Sequence, residues 1–191
     1  MIFLPEPHIK SPLYLSFKNG YVYSRESISP PIRMEFSPWT LWYHDPDCQD
    51  YSLASYSQVG EVGTPAQFWT IVNSIPKDAW ENGMFFFMKK GVRPTWDSPE
   101  NEKGGAWSKK IEASDTHEVF VDLMVHCVTG KLLQSHKEIL QGITVSPKGA
   151  FHIVKIWNSN ASQNDRKFIT PTSRFRVGDD VTYTPHKLRP R

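Results

Sequence analysis

The chain has 191 residues and a formal net charge of +2, and this length predicts one domain with its own core, because two domains of ordinary size would need a longer chain. No apolar run is long enough to span a membrane and the start lacks a secretory signal, so we expect a soluble, cytoplasmic protein. Cys48 and Cys127 are the only cysteines, and neither they nor the scattered histidines show the spacing of a zinc site or a disulfide framework.

The first 35 residues contain several prolines. We interpret residues 1–35 as an extended or partly disordered arm with one strand or hairpin near residues 14–23. Residues 36–191 then form the folded domain. It opens with the aromatic and apolar run at residues 39–44, which predicts a strand covered on at least one face.

Thr64 marks the start of the first predicted helix. It stands at the N-cap position, Pro65 occupies the first helical position, and Gln67 completes a capping box. The helix should run to about residue 75, with a buried stripe formed by Phe68, Ile71, Val72 and Ile75. Trp69 lies about 110° from the centre of that stripe, so we expect its ring to be exposed.

Residues 84–88 predict a strand, and a loop at residues 93–107 follows it, because prolines and glycines there break regular structure. The loop carries Trp96 and Asp97. An indole face can stack on a planar or cationic ring while a neighbouring carboxylate accepts hydrogen bonds from the N–H edge of that ring, which would suit a charged purine. Alternatively, Trp96 covers the core as a lid and Asp97 caps a turn. Position alone leaves both interpretations open.

After a strand near residues 106–111, Asp115 and Glu118 predict a capping box for a second helix that ends before Gly130. One face of this helix carries Phe120, Leu123, Met124 and Cys127. The other carries Val121, Asp122 and Val125, a small apolar patch with one acid. Strands near 143–146 and 151–157 with a turn at 147–149, a short polar helix near 161–168 and a strand at 181–183 complete the chain. These elements predict the α+β class with an antiparallel sheet.

Three blocks of this sequence resemble the translation initiation factor 4E family, the messenger RNA cap-binding proteins. Residues 90–97 (KGVRPTWD) with 102–107 (EKGGAW) resemble its central block, residues 39–43 (WTLWY) its first strand, and residues 64–69 (TPAQFW) its first helix. Order and spacing match from about residue 38 to residue 157, whereas residues 1–35 and 158–191 match weakly or not at all. The resemblance implies one strongly curved antiparallel sheet of about eight strands, with about three helices on its convex back and the ligand in its concave front.

The resemblance also implies a sandwich of two rings around the positively charged 7-methylguanine, with an acid at the guanine edge. Trp96 matches one ring and Asp97 matches the acid, as Asp in place of the usual Glu. The second ring position falls at Ser52 when counted back from Thr64, so its neighbour Tyr51 is preferred and Tyr56 is the alternative.

The phosphate clamp departs from the family, because the positions of two arginines hold Ala106 and Ser146. Residues 148–191 nevertheless carry 9 Lys+Arg against 3 Asp+Glu, which indicates an anion-binding edge or a solvated basic tail. The candidate phosphate or RNA contacts are Lys148, His152, Lys155, Lys103, Arg174, Arg176 and Lys187. With a displaced clamp, the sequence resembles a divergent, short member of the family, of the kind found in trypanosomatid protists. The messenger RNA caps of these organisms carry extra methylated nucleotides.

Trp69, Val121, Asp122 and Val125 match the family's dorsal site, which receives a helical Tyr-x-x-x-x-Leu-hydrophobic peptide from a 4G-type scaffold or a 4E-binding protein. Alternatively, the N-terminal arm covers Trp69. The resemblance therefore implies a monomer without cofactor that binds the cap, including hypermethylated caps, and recruits the messenger to translation initiation. The chain shows no catalytic triad, metal cluster or glycine-rich phosphate loop, so we expect no enzyme. A scaffold or translational repressor of the same fold without cap binding is the alternative.

Overall fold

The computed structural model describes residues 36–186 and three short strands before them. The chain divides into two units, Met1–Glu35 and Phe36–Arg191. In the first unit, β1 (Ser16–Lys18), β2 (Tyr21–Tyr23) and β3 (Ile32–Arg33) form an antiparallel sheet. The hairpin predicted near residues 14–23 is therefore present as β1 and β2, and the remainder of the prediction for the arm falls outside the described residues.

The second unit is built on one seven-stranded antiparallel sheet, in the order β10-β7-β9-β8-β6-β4-β5. Its strands are β4 (Trp39–His44), β5 (Tyr56–Val62), β6 (Met84–Lys89), β7 (Gly105–Glu112), β8 (Leu140–Lys148), β9 (Phe151–Asn158) and β10 (Thr182–Pro185). The predicted α+β class with a single antiparallel sheet is confirmed, with seven strands in place of about eight.

Three helices supply the second layer: α1 (Pro65–Ser74), α2 (Lys77–Asn82) and α3 (Thr116–Val128). Their buried side chains share one core with alternate residues of the strands, among them Leu41, Phe87 and Ile156. We call this side of the sheet the helix face. Strand side chains alternate between faces, so the intervening residues point to the opposite side, which we call the open face.

The first helix forms where its sequence predicts, with Thr64 as its N-cap, but only one of the two hydrogen bonds of the predicted capping box forms. Thr64 caps it by accepting a hydrogen bond from the backbone of Gln67 at 3.2 Å, and the side-chain oxygen of Gln67 accepts one from the Gly63 backbone at 2.9 Å. Phe68 is 2% exposed, whereas Trp69 is 49% exposed. The predicted exposure of Trp69 is therefore confirmed.

The start of α3 differs from the prediction, although its buried stripe of Phe120, Leu123, Met124 and Cys127 is confirmed. Asp115 forms no capping bond, because its φ of −90° and ψ of −4° are helical, whereas an N-cap residue needs an extended backbone. Its carboxylate accepts a hydrogen bond from the Ser114 hydroxyl instead. Gly130, with φ of 63°, ends the helix in the left-handed conformation that glycine adopts without strain.

The prediction of a polar helix near residues 161–168 is wrong. Only a short 3₁₀ turn, Arg166–Phe168, is helical there. The side chain of Asn160 accepts bonds from Ser162, and that of Asp165 accepts one from the Lys167 backbone. Such local side-chain bonds compete with helix formation.

Candidate functional site

An apolar cluster on the open face forms the floor of the candidate site. Its buried members are Met84, Phe86, Met88, Ala106 and Trp157, and four partly buried side chains pack against it, namely Trp42, Tyr56, Val92 and Trp96. We call these nine residues the open-face cluster. The indole N–H of Trp157 donates to the Thr144 hydroxyl at 3.3 Å. The strands of the sheet therefore present a continuous aromatic surface away from the helices.

Asn101, which is fully buried, holds the loop that carries Trp96. Its amide nitrogen lies 2.8 Å from the Arg93 carbonyl oxygen, 2.9 Å from the Thr95 carbonyl oxygen and 3.1 Å from the Ser98 hydroxyl. Arg93 also forms an ion pair with Glu100 at 3.0 Å. These hydrogen bonds and the ion pair hold the backbone of the loop in one conformation, and they therefore fix the position of Trp96.

Gly104 joins this loop to β7 where no side chain fits. A Cβ atom on Gly104 would lie 1.8 Å from the carbonyl oxygen of Asn158. The next residue, Gly105, donates its N–H to the Asn158 side chain at 3.0 Å. The glycine pair therefore allows the loop to meet β9 directly beside the open-face cluster.

Trp96 and Asp97 lie where a ligand could reach both. Trp96 is half-buried against the open-face cluster, and among the residues that the structure describes no ring stacks on it. Asp97 is exposed, and its carboxylate takes no hydrogen bond within the described part of the chain. The hydroxyl of Ser98 closes the turn by donating to the Thr95 carbonyl at 3.0 Å. Asp97 therefore does not cap the turn. As a lid, Trp96 covers the open-face cluster with only one side of its ring.

Tyr51 is supported from below by His44. The two rings stack with centroids 4.8 Å apart and an angle of 8° between their planes, and Tyr51 remains 47% exposed. His44 is fully buried, and its Nε2 lies 2.8 Å from the Asp50 carbonyl oxygen and 3.1 Å from the Ser55 hydroxyl. Hydrogen bonds from the backbone and hydroxyl of Ser52 lower the pKa of the Asp50 carboxyl. This loop therefore presents Tyr51 on a fixed base.

Tyr56 packs against the open-face cluster and also contacts His44, the residue on which Tyr51 stacks. Its ring contacts His44 at 4.6 Å and the edge of Phe86 at 5.1 Å between centroids. Burial, together with the nearby Tyr51 and Asp97, raises the pKa of Tyr56 well above its usual range. Tyr51 is linked to Tyr56 through His44, and Trp96 is linked to Tyr56 through the open-face cluster. Because Tyr56 is engaged by two rings, Tyr51 presents the more accessible aromatic surface.

The candidate phosphate contacts do not form one cluster. Lys155 lies on the open face two residues from Trp157, and Lys148 lies exposed at the end of β8. His152 lies on the helix face, is 2% exposed and its Nδ1 lies 2.8 Å from the Thr116 hydroxyl of α3. Burial lowers the pKa of His152, which favours a neutral ring. His152 is therefore wrongly placed for a phosphate contact.

The remaining candidate cations lie in loops. Arg174 is exposed and forms an ion pair with Glu118 of α3 at 2.9 Å, and with Arg176 it lines a cleft of about 520 Å³ beside the edge of β7. Lys103 is exposed in the loop before β7. Lys187 lies outside the described residues. The structure therefore does not bring these cations together with Lys155.

Residues that the sequence prediction did not select also border the site. His186 packs its ring on Trp157 at 4.7 Å between centroids, and Lys110 lies exposed on β7, on the same face as Ala106. The alternation of β7 could have identified Lys110, since it follows Ala106 by four residues. No local signal identifies His44, whose support of Tyr51 depends on the folded loop.

A second surface lies on the helix face. Val121 and Val125 are partly exposed on α3, and the Trp69 ring packs edge-on against Phe68 with centroids 5.0 Å apart. Asp122 is not free for a partner, because its carboxylate accepts hydrogen bonds from the Thr172 hydroxyl and the Arg174 backbone. Its position indicates that it holds the 172–174 loop against α3.

Within residues 36–186, no three His, Cys, Asp or Glu side chains are grouped closely enough to hold a metal ion. In the described part of the chain, no helix has the length and apolarity needed to cross a membrane.

An antiparallel sheet with helices on one face, and with aromatic rings beside a free acid on the other, is an arrangement that suits the non-covalent binding of a planar ligand. The family model described as eukaryotic initiation factor 4E matches residues 36–187, and the chain belongs to this family.

Curated relatives share limited identity with the chain. Eukaryotic translation initiation factor 4E-2 of Schizosaccharomyces pombe is 25% identical over 132 residues, which cover 66% of this chain and 54% of the relative. Eukaryotic translation initiation factor 4E-4 of Caenorhabditis elegans is 30% identical over 118 residues, covering 60% of this chain and 54% of the relative. The chain spans about half the length of these curated relatives.

Solved structures share the fold. C. elegans eIF4E-3 in complex with the 4E-binding protein Mextli superposes with a TM-score of 0.67 at 18% identity, covering 79% of this chain and 92% of that one. Ascaris suum eIF4E-3 with m2,2,7G cap has a TM-score of 0.66 at 19% identity, covering 81% and 92%. A further structure contains the Ascaris suum protein with m7G cap.

Proposed function

We propose that the chain binds the 7-methylguanosine cap of messenger RNA and brings capped messenger to the translation initiation machinery, as a cytoplasmic binding protein without enzymatic activity. The observation that carries this proposal is the pair of Trp96 and Asp97, an accessible indole beside an exposed carboxylate that takes no hydrogen bond within the described residues. The cap complexes of the Ascaris suum relative support the same ligand class.

In this proposal the methylated guanine stacks between Trp96 and Tyr51. Methylation at N7 gives the base a positive charge, so each ring adds cation–π attraction to dispersion, about 1–3 kcal/mol per stacked face. Asp97 accepts hydrogen bonds from the N1–H and N2–H edge of guanine, which adenine lacks. Since Asp is one methylene shorter than Glu, the base lies closer to the loop backbone.

The triphosphate receives a weak clamp. Ala106 and Ser146 are buried and carry no charge where the family resemblance implies arginines. Lys155 is the cation on the open-face strands that lies nearest in sequence to Trp157, and it takes the phosphate next to the base. The base sandwich therefore contributes most of the affinity for a cap analogue.

The test is a titration of intrinsic tryptophan fluorescence with 7-methyl-GTP and, in parallel, with GTP. We expect strong quenching by 7-methyl-GTP and little by GTP, and loss of binding in Trp96→Ala and in Asp97→Ala. Trp69→Phe, which changes an exposed tryptophan on the helix face, is the matched control and should bind normally. Equal affinity for the two nucleotides would exclude the sandwich. Unchanged affinity in Tyr51→Ala would move the second ring to Tyr56 or elsewhere.

A finer proposal concerns hypermethylated caps. A 2,2,7-trimethylated guanine has no N2–H, so it keeps only its N1–H bond to Asp97, and the shorter Asp97 leaves space for its two N2 methyl groups. We expect such a cap still to bind, more weakly than 7-methyl-GTP because one hydrogen bond is lost, and Asp97→Glu to widen this difference. If Asp97→Glu leaves the ratio of the two affinities unchanged, residue 97 does not set cap subtype. The resemblance to trypanosomatid members stays a prediction.

The helix face carries the proposed partner site. Trp69 on α1 offers an exposed ring, and Val121 and Val125 on α3 offer two partly exposed aliphatic side chains, which suit the apolar side of a Tyr-x-x-x-x-Leu-hydrophobic helix from a 4G-type scaffold or a 4E-binding protein. The Mextli complex of the C. elegans relative supports a partner of this class. An exposed tryptophan of this kind often contributes about 2 kcal/mol or more to an interface.

A peptide with this motif tests the partner site. Trp69→Ala should lose peptide binding and keep the affinity for 7-methyl-GTP, whereas Thr70→Ala, at the exposed neighbouring position of α1, should keep both. Loss of both activities in Trp69→Ala would make Trp69 a structural residue.

The absence of arginine at positions 106 and 146 favours one alternative, a scaffold or translational repressor of the same fold that does not bind the cap. Peptide binding without any response to 7-methyl-GTP would establish it.

A further inference from the structure

The sheet edge beside β7 is covered by a strand over only half of its length. β10 pairs with residues 105–108 of β7. The chain that precedes β10 leaves the edge at a turn, in which the Val181 N–H donates to the Gly178 carbonyl at 3.1 Å. In the part of the chain that the structure describes, no strand pairs with residues 109–112 of β7 on this side. The second half of β7 is therefore an open sheet edge.

The open edge presents unpaired backbone groups. One position beyond the last residue pair of β10, the Gly104 carbonyl accepts a hydrogen bond from the His186 backbone at 2.9 Å. Since hydrogen-bonded pairs recur at every second residue of an antiparallel ladder, the backbone groups of Lys110 and Glu112 point to the same side. Among the described residues, none bonds there to the N–H and C=O of Lys110 or to the N–H of Glu112. Such groups are a template for an additional strand.

A groove with room for one strand runs along the open edge, and we call it the β7 groove. This cleft of about 520 Å³ is bounded on one side by residues 109–112 and on the other by the 173–176 loop, with Val119 of α3 and Phe151 as apolar lining. An extended chain advances about 3.3 Å per residue, so about four of its residues would pair with this edge. A second folded copy brings its own 173–176 loop to the same edge, so a single extended segment is the occupant that fits.

The charges of the β7 groove favour an acidic segment. Its lining holds four cations and two acids, namely Lys109, Lys110, Arg174 and Arg176 against Glu112 and Asp115. Lys109 pairs with Asp180 at 3.1 Å. Arg174 pairs with Glu118 at 2.9 Å, but both side chains are more than half exposed, so this pair contributes little and can be exchanged for a ligand carboxylate. Arg176 is exposed and forms no ion pair with a described residue, so the loop wall offers two guanidinium groups.

We propose that the β7 groove binds an extended, acidic peptide segment of a partner protein, which adds to the sheet antiparallel to β7 along the line of β10. Backbone hydrogen bonds to Lys110 and Glu112 provide the pairing, and alternate side chains divide between the two faces. Those on the helix face meet Arg174 and Arg176, so Asp or Glu belongs there. Those on the open face lie beside Phe151, so an apolar residue such as Val suits them. The groove shares no residue with the open-face cluster, and the inference does not depend on cap binding.

The probe is a blocked eight-residue peptide of alternating Glu and Val, titrated into the full chain by isothermal titration calorimetry. Directly opposite residues of an antiparallel pair share a face, so the Val residues lie opposite Lys110 and carry the backbone groups that face β7. N-methylation of the Val residues should weaken binding about tenfold or more, as the loss of two neutral hydrogen bonds implies. N-methylation of the Glu residues, whose N–H groups point away from β7, is the matched control and should change the affinity less than about twofold.

Two further measurements locate the peptide on the chain. Amide hydrogen exchange of Lys110 and Glu112 should slow when the peptide binds, because their N–H groups become hydrogen-bonded. Arg176→Glu should weaken the peptide by about fivefold, since it replaces an attractive charge with a repulsive one. Lys131→Glu reverses the charge of an exposed lysine that follows α3, and it should leave the peptide affinity unchanged.

Several outcomes would overturn the inference. They are the absence of binding, equal binding of the two N-methylated peptides, and equal binding of an alternating Lys and Val peptide. Competition by the Tyr-x-x-x-x-Leu-hydrophobic peptide would place the probe at the proposed partner site instead. Self-association of the chain that Arg176→Glu abolishes would make a second copy the occupant, and binding only after deletion of residues 1–35 would make that segment the occupant.

Discussion

The role of His152 is decided by the alternation of side chains between the two faces of β9. His152 lies one residue away from the open-face register of β9 and therefore meets Thr116 on the helix face. Burial lowers its pKa below the ordinary value of 6.5. As the pH falls below about 6.5 the unfolded chain takes up a proton that the folded chain does not, so the free energy of unfolding should fall with it.

We therefore predict that His152→Gln flattens the decrease in stability between about pH 7 and pH 5. Urea denaturation at a series of pH values measures this dependence of the free energy of unfolding on pH. His136→Asn is the control, because His136 is exposed and Asn tolerates its φ of 53°. A decrease that is equally steep in His152→Gln would mean that other groups cause it.

Asn101 gives a second prediction at this scale. Asn101→Ala leaves the carbonyl oxygen of Arg93 without its donor and leaves that of Thr95 with only its bonds from Ser98, which should lower the free energy of unfolding by about 1–3 kcal/mol. The affinity for 7-methyl-GTP should fall too, since the loop of Trp96 loses its internal support. Asn73→Ala, at an exposed position of α1, should change neither quantity. Unchanged stability in Asn101→Ala would show that water replaces the amide.

Individual site residues can be predicted from the sequence only where the neighbouring residues restrict the local backbone structure. Trp96 and Asp97 could be selected because prolines and glycines exclude regular structure around them. Ser98 and Asn101, which close the turn, carry no such signal, and His44 gains its role from a loop that returns to it. Tertiary contacts of this kind are not encoded in local spacing.

Among the elements, those with strong end signals were predictable. Thr64 and Gln67 indicate the start of α1: Thr64 caps the helix as predicted, whereas the Gln67 side chain accepts from the Gly63 backbone in place of the Thr64 backbone. The six-residue helix α2 and the strand β5 were not predicted, because α2 has no side-chain cap and β5 combines a glycine with mostly exposed polar residues. Short or polar elements depend on their neighbours for stability.

The cap of α1 leads to a prediction at the scale of the element. Thr64→Ala should lower the free energy of unfolding by about 1 kcal/mol, because the Gln67 backbone N–H loses its acceptor. The affinity for 7-methyl-GTP should stay the same, since α1 lies on the face opposite Trp96. Thr70→Ala removes the same atoms inside the helix and should be neutral or slightly stabilising. Equal destabilisation in the two variants would contradict a specific capping role.

At the scale of the whole molecule, the pattern of elements predicts an antiparallel α+β domain, but it does not predict the strand order. β7 lies between β9 and β10, and β8 pairs with β6 across the intervening β7 and α3. Such pairings join distant segments, and only the family resemblance anticipated a single sheet backed by helices.

The division of the chain gives the last prediction. The buried hydrophobic side chains of the described residues form their own core within residues 36–191, so a chain lacking residues 1–35 should unfold cooperatively. It should bind 7-methyl-GTP within about twofold of the full chain, a difference below about 0.5 kcal/mol. Trp69 is 49% exposed, so we also expect the Tyr-x-x-x-x-Leu-hydrophobic peptide to bind both chains equally in a direct titration. Tighter peptide binding after the deletion would instead show that the N-terminal residues compete for Trp69, and loss of cooperative unfolding would show that they complete the core.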